Sequence, residues 1–232
     1  MTKLKYLNLR PAEVPRFLRP SGLVVIPCKV QPEHVGDGIY RILVGRGRWV
    51  TNELIERKFV AGKMISEMNV VDPLEEMMKR HCPCPLGGPG TQWVGREKFI
   101  PCVGCGLDSK TADASYVCLE DGTQIFRNGN VDKWTLKDPP NWKGYRFRPA
   151  SQMPLWASRI RKTTTRVELR RVKTITDDEI KATGITPHRA TDHPRGVWYT
   201  AAMAYFTSRY PDAWDRDDYA WFVCYTDTLG KD

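Results

Sequence analysis

VELRRVKTITDDEIKATGI, running from Val167 to Ile185, carries two periodicities in succession. Val167 and Leu169 alternate with Glu168 and Arg170, and Val172 follows one residue late. That period of two marks a strand with one wet face. Thr176 followed by Glu179 is then a capping-box signature, in which each side chain satisfies the other's orphan backbone N–H at a helix start. Gly184 closes the short helix. A strand that hands over directly to a capped helix points to an α+β fold.

Working outward, the C-terminal side repeats the pattern on a larger scale. After a Pro/His/Arg loop from Ile185 to Arg195, Trp198, Ala201, Ala202, Tyr205 and Phe206 recur at helical spacing until Pro211. Tyr219 to Thr226 reads as a final, largely buried strand. On the N-terminal side, Leu23 to Ile26 and Ile39 to Val44 read as strands. Glu53 to Arg57 and Pro73 to Arg80 have helical composition, the second with Leu74, Met77 and Met78 on one face. From His81 to Gly106 the chain turns to Cys, Pro and Gly, with a strand at Gln92 to Val94. Glu120-Asp-Gly122 and Arg127-Asn-Gly-Asn130 suit tight hairpin turns flanking a strand at Thr123 to Phe126. Asp138-Pro-Pro-Asn141 breaks any element. There is no internal repeat. The sum is a strand-dominated α+β chain with helices at its margin.

The 232 residues are 41% hydrophobic and 27% charged, an ordinary globular composition. No apolar run approaches the roughly 18–20 residues of a membrane span, and the first twenty residues lack the apolar core of a secretory signal. A cytoplasmic protein is expected. Lys and Arg number 36 against 27 acids, a net charge of +9. Nine basic residues and a single acid between Asn141 and Arg171 account for +8 of it. Interleaved with Trp142, Tyr145, Phe147 and Trp156, that stripe is the footprint of a nucleic-acid surface, or else a solvated face of long cationic side chains.

Four of the seven cysteines form two close pairs, Cys82 with Cys84 and Cys102 with Cys105. Two short Cys turns brought together supply the four soft ligands of a structural zinc, with His81 as a substitute for Cys82. The alternative is four small buried side chains. No nucleophile elbow, Walker loop or zinc-protease helix is present, and the glycines at Gly45-Arg-Gly47 and Gly87-Gly-Pro-Gly90 are weak phosphate-loop candidates because neither leads a helix after a strand.

Three segments together resemble a known family. Pro89-Gly-Thr-Gln-Trp-Val-Gly-Arg-Glu97, Arg148-Pro-Ala-Ser-Gln-Met-Pro-Leu-Trp-Ala-Ser-Arg-Ile160 and Val167 to Ile185 are similar to signature stretches of ASCH-domain proteins encoded by tailed phages and prophages. The closing helix with Trp221-Phe-Val223, and more loosely Leu9 to Pro32, fit the same pattern. The resemblance implies one domain over residues 1–232, a PUA-like small β-barrel flanked by helices, with insertions at 35–80 and 106–140. It implies recognition of RNA, single-stranded DNA or a modified base. Trp93 and Trp156 would then stack a base, and Arg96, Arg148, Arg159, Arg161 and Lys162 would contact phosphates. Enzymatic relatives hydrolyse acetylated cytidine or cleave RNA with a Lys, a Thr and a Glu. Glu97 matches that Glu; the alternative is a simple ion pair with Arg96 or Arg159. Arg19 to Cys28 stands where the Lys and Thr belong, leaving Lys29 as a displaced substitute and Ser21 as a hydroxyl. Binding is therefore the leading expectation, hydrolysis the second, and docking to a host protein through the insertions the third.

Overall fold

β-Branched runs separated by glycine turns give this chain many short strands and few helices. The computed structural model describes residues 4–44, 47–60, 63–71, 73–103, 106–107, 114–133, 146–187 and 194–228. Its first elements are β1 (Lys5–Asn8), a 3-10 turn (Pro11–Glu13), α1 (Val14–Phe17), β2 (Ser21–Pro27), β3 (Glu33–Gly36), β4 (Ile39–Val44) and β5 (Arg48–Thr51). Next come β6 (Glu53–Val60), β7 (Lys63–Val71), α2 (Leu74–His81), β8 (Gln92–Arg96), β9 (Phe99–Val103) and β10 (Gly106–Leu107). The last are β11 (Tyr116–Leu119), β12 (Thr123–Phe126), β13 (Val131–Lys133), β14 (Ile160–Arg171), α3 (Asp177–Ala182), α4 (Gly196–Arg209) and β15 (Tyr219–Asp227).

The class is α+β, with a curled, half-barrel sheet and few helices. The strands form a five-stranded sheet ordered β1-β8-β14-β15-β2, a second ordered β10-β9-β11-β12-β13, a three-stranded sheet β3-β4-β5 and the hairpin β6-β7. The chain divides into two compact units, residues 1–22, 88–165 and 224–232 in the first and 23–87 and 166–223 in the second. No described helix is long and apolar enough to cross a membrane.

In the first unit β1 runs parallel to β8, with Lys5 opposite Trp93, and β14 enters antiparallel to β8, with Ile160 opposite Gly95. The second sheet is a meander. Its turns at Gly122 (φ +81°) and Gly129 (φ +90°) use the positive φ that glycine tolerates and the sequence anticipated. Phe99, Val117, Leu119, Ile125, Met153 and Ala157 form one apolar cluster, with Trp156 against it. A second cluster joins Ile100, Cys102 and Cys118. Trp93, fully buried, meets Phe17 and Tyr225 edge to face, with ring centroids 5.8 and 5.5 Å away. Each such aromatic pair contributes about 0.5–1.5 kcal/mol beyond area burial.

In the second unit the capping box forms as expected: Glu179 N–H donates to Thr176 Oγ1 at 3.3 Å and Thr176 N–H to Glu179 Oε2 at 3.0 Å. Helix α2 buries Met77 and Met78, and α4 buries Ala202 and Phe206. One expectation fails here. Glu53–Arg57, helical by composition, lies in β6, paired antiparallel with β7 from Glu53 opposite Val71 to Val60 opposite Lys63. Cross-strand pairing with a segment ten or more residues on overrides a weak local propensity that five residues cannot enforce.

Candidate functional site

Glu97 follows β8 directly, and Arg159 precedes the first residue of β14, the strand that pairs with β8. That register sets the two side chains face to face. Arg159 donates from Nε to Glu97 Oε1 at 3.0 Å and from Nη2 to Glu97 Oε2 at 2.8 Å, a bidentate fork. The same guanidinium donates from Nη2 to Asp121 Oδ2 at 2.8 Å and from Nη1 to Thr123 Oγ1 at 2.9 Å. The β11–β12 turn brings those two residues in. Asp121 Oδ1 accepts from Thr123 N–H at 3.0 Å and fixes the turn. Glu97 is also held through its backbone, whose N–H donates to Met153 Sδ at 3.2 Å.

These groups open onto a cleft of ≈ 420 Å³, counting its solvent-open space. Leu9, Val14, Pro15 and Leu18 give it an apolar side; Glu97, Lys98, Glu120, Asp121 and Arg159 give it a charged one. Burial pushes the Glu97 carboxyl above its usual range, and the Arg159 bonds offset only part of that push. Asp121 goes the other way. Burial raises it, but its bonds from Arg159 and Thr123 together outweigh burial and hold the carboxyl below its ordinary value. The two neighbouring carboxyls are thus shifted in opposite directions by their surroundings. Each Glu97 oxygen keeps lone-pair capacity for a further donor.

The remaining expected site residues are dispersed. Trp93 is fully enclosed, so both ring faces already have neighbours and it offers no stacking surface. Trp156 is half-buried against the apolar cluster, with Arg127 5.9 Å from its ring centroid. Lys162, only 2% exposed, donates to Arg19 O at 2.6 Å and pairs with Asp227. Its ammonium faces inward rather than toward a phosphate. Arg96 lies over the Tyr6 ring at 3.7 Å and donates to Ser151 O at 2.8 Å. Arg148 is half-buried, its backbone N–H donating to Phe99 O at 2.7 Å. Arg161 is exposed, with one long bond of 3.4 Å to Leu155 O. Lys29 is exposed, belongs to the second unit, and is not among the cleft residues.

Cys102 Sγ lies 3.7 Å from Cys118 Sγ in the first unit, while Cys82 and Cys84 belong to the second. Cys105, the loop histidines His188 and His193, and the break at Asp138 to Asn141 lie outside the described residues. Among the described residues, no group of three or more His, Cys, Asp or Glu is placed to hold a metal ion. Sequence reading missed Asp121 and Thr123. The Glu120-Asp-Gly122 signature announced a turn, but nothing local announced which arginine the turn would meet.

No family model, curated protein or solved structure matches this chain.

Proposed function

We propose that this chain is a nucleotide-binding module of the ASCH, PUA-like kind found in tailed phages, taking a single nucleotide or an unstacked base of RNA or single-stranded DNA in the Glu97 cleft. One observation supports the reading above the others. The segments that resemble the family, 89–97 and 148–160, each supply one half of the Glu97–Arg159 fork. A nearly buried carboxylate accepts readily from the amino or imino edge of a base, and the apolar side from Leu9 to Leu18 suits the base's π face. Phosphates would fall to exposed cations such as Arg161 and Lys98.

Calorimetric titration with the four nucleosides, alongside anisotropy with short RNA, single-stranded DNA and duplex DNA over a salt series, tests this. Binding of a nucleoside or single strand that weakens at least tenfold in Glu97→Gln is the expected result. Equal affinity in Glu97→Gln, or no binding at low salt, removes the reading.

The raised Glu97 carboxyl favours a second reading, a nucleoside amidohydrolase or nuclease with Glu97 moving the proton. Turnover of acetylcytidine or RNA that disappears in Glu97→Gln would install it in place of simple binding. Retention of a host protein but no nucleic acid in a pull-down would replace both.

A further inference from the structure

The Glu97 cleft lies within the first unit, and its charges do not balance. Among the described residues that line it, Glu97, Glu120 and Asp121 set three carboxylates against two cations, Lys98 and Arg159. The chain as a whole carries a net charge of +9. The cleft is thus one positive charge short on a molecule that has positive charge in excess.

The hydrogen bonds locate the shortfall. Arg159 uses four of its five N–H groups inside the protein, two on Glu97, one on Asp121 and one on Thr123. Both Glu97 oxygens accept from that guanidinium, as an ionised carboxylate does. Asp121 accepts from it through Oδ2 and from the Thr123 N–H through Oδ1. Two carboxylates therefore share one guanidinium. Lys98 leaves that pair uncompensated, because it stands with an acid of its own: its Nζ is 4.0 Å from Glu120 Oε1, an ion pair beyond hydrogen-bond reach. The Glu97 side chain is 7% exposed and the Asp121 side chain 48%, so the excess negative charge runs from a poorly hydrated floor to an open mouth. Opposite it, the Leu9, Val14 and Leu18 side chains offer a flat ring contact but neither charge nor hydrogen bonds.

An anion entering this cleft is repelled, and a neutral ring leaves the imbalance as it was. A ring with one positive charge cancels it. We propose that the cleft selects a cationic nucleobase, one whose ring nitrogen is methylated so that the ring carries positive charge, as in N1-methyladenosine or N3-methylcytidine. The inference rests on the base-binding reading above and names the ligand class of that same site. The ring lies along the aliphatic side with its charged edge toward Glu97 and Asp121, and the phosphates of a longer ligand stay outside the cleft.

Calorimetric titration of the intact protein at pH 7 and low salt compares N1-methyladenosine with adenosine and N3-methylcytidine with cytidine. Benzylammonium serves as a cation that is not a nucleoside. Nucleosides carry no phosphate, so Lys98 acts on them through its charge alone. Each methylated nucleoside should bind roughly fivefold tighter than its parent, the scale of one partly exposed ion pair. Lys98→Gln removes a cation at an exposed position and should widen that ratio, whereas Glu120→Gln or Asp121→Asn should erase it. Movement in opposite directions separates charge from a folding defect. Equal affinity for methylated and parent nucleosides overturns the inference and leaves the base-binding reading standing. A preference that neither Lys98→Gln nor Glu120→Gln alters also overturns it, since the methyl group rather than the charge is then recognised. Binding of benzylammonium but of no nucleoside overturns the base-binding reading and the cationic base with it, and no binding of any probe removes both.

Discussion

Arg159 meets Glu97 fork to fork, at 3.0 and 2.8 Å, while the same guanidinium also holds Asp121 at 2.8 Å. The charges are therefore unequal partners. Removing Arg159 strands two carboxylates, of which the Glu97 side chain is only 7% exposed; removing the Glu97 charge leaves Arg159 its bonds to Asp121 and Thr123. Arg159→Met should destabilise by about 3 kcal/mol, within the range for breaking one side of a buried pair, and Glu97→Gln by about 1 kcal/mol. Urea denaturation of both variants and the double mutant checks this. Equal losses, or additivity in the double mutant, would contradict the shared-guanidinium geometry.

The two carboxylates also predict opposite pH signatures. Glu97 is raised in the folded state, so its contribution to stability is fully present below its unfolded value of about 4.5 and fades as pH climbs through the raised folded value. Asp121 is lowered, so its contribution is present above its unfolded value of about 3.8 and fades as pH falls through the lowered folded value. Against Glu97→Gln, the wild type should lose relative stability as pH rises from 4. Against Asp121→Asn it should lose relative stability on acidification below 4. Denaturant midpoints from pH 3 to 8 measure both, and slopes of the same sign would refute the assignment.

Gly95, in β8, leaves no room for a side chain. A Cβ there would lie 2.8 Å from both Ile160 Cγ2 and Leu9 Cδ1. The Leu9 methyl can swing away, but Ile160 branches at Cβ and has little freedom. Gly95→Ala should therefore cost about 1–3 kcal/mol by overpacking, and weaken any ligand of the cleft that Leu9 lines. An unchanged denaturant midpoint would show that the strands separate more readily than this packing implies.

Legibility in the sequence followed the range of the interaction. The α3 cap, the β4 and β15 strands and both glycine turns were readable because each depends on residues within a few positions. Glu97 and Arg159 were readable one at a time, as a motif residue and as part of a basic stripe. Their meeting was readable only as one of two alternatives, Arg96 or Arg159, because the choice between them depends on the β8–β14 register across 62 positions. The stripe misled for the same reason. Arg159, Lys162 and Arg170 find acids in Glu97, Asp227 and Glu179, outside the stripe, and Arg166 and Arg170 share Glu168 inside it, so local charge counting overstated what faces outward.

Lys162 and Asp227 form an asymmetric pair, the lysine 2% and the aspartate 54% exposed. Asp227→Ala leaves a buried ammonium with the Arg19 carbonyl and the Tyr225 ring, 5.5 Å from the ring centroid, and should cost about 3 kcal/mol. Lys162→Met leaves a carboxylate that water can solvate and one carbonyl without its donor, and should cost about 1–2 kcal/mol. The reverse order in thermal or urea melts would mean that the ammonium reaches solvent.

That distinction carries over to binding. Counterion release makes the salt slope a count of phosphates neutralised, about 0.7 per contact on a single strand. Arg161 is exposed and has one long bond to Leu155 O, so Arg161→Ala should weaken RNA or single-stranded DNA binding and reduce the slope by about 0.7. Lys162 carries the same charge one residue later but faces inward, so Lys162→Met should leave the slope unchanged at temperatures where the variant stays folded. Anisotropy between 50 and 300 mM salt separates the two. If both substitutions flatten the slope equally, or neither does, then the alternation of β14, exposed at Arg161 and buried at Lys162, does not decide which cations meet the nucleic acid.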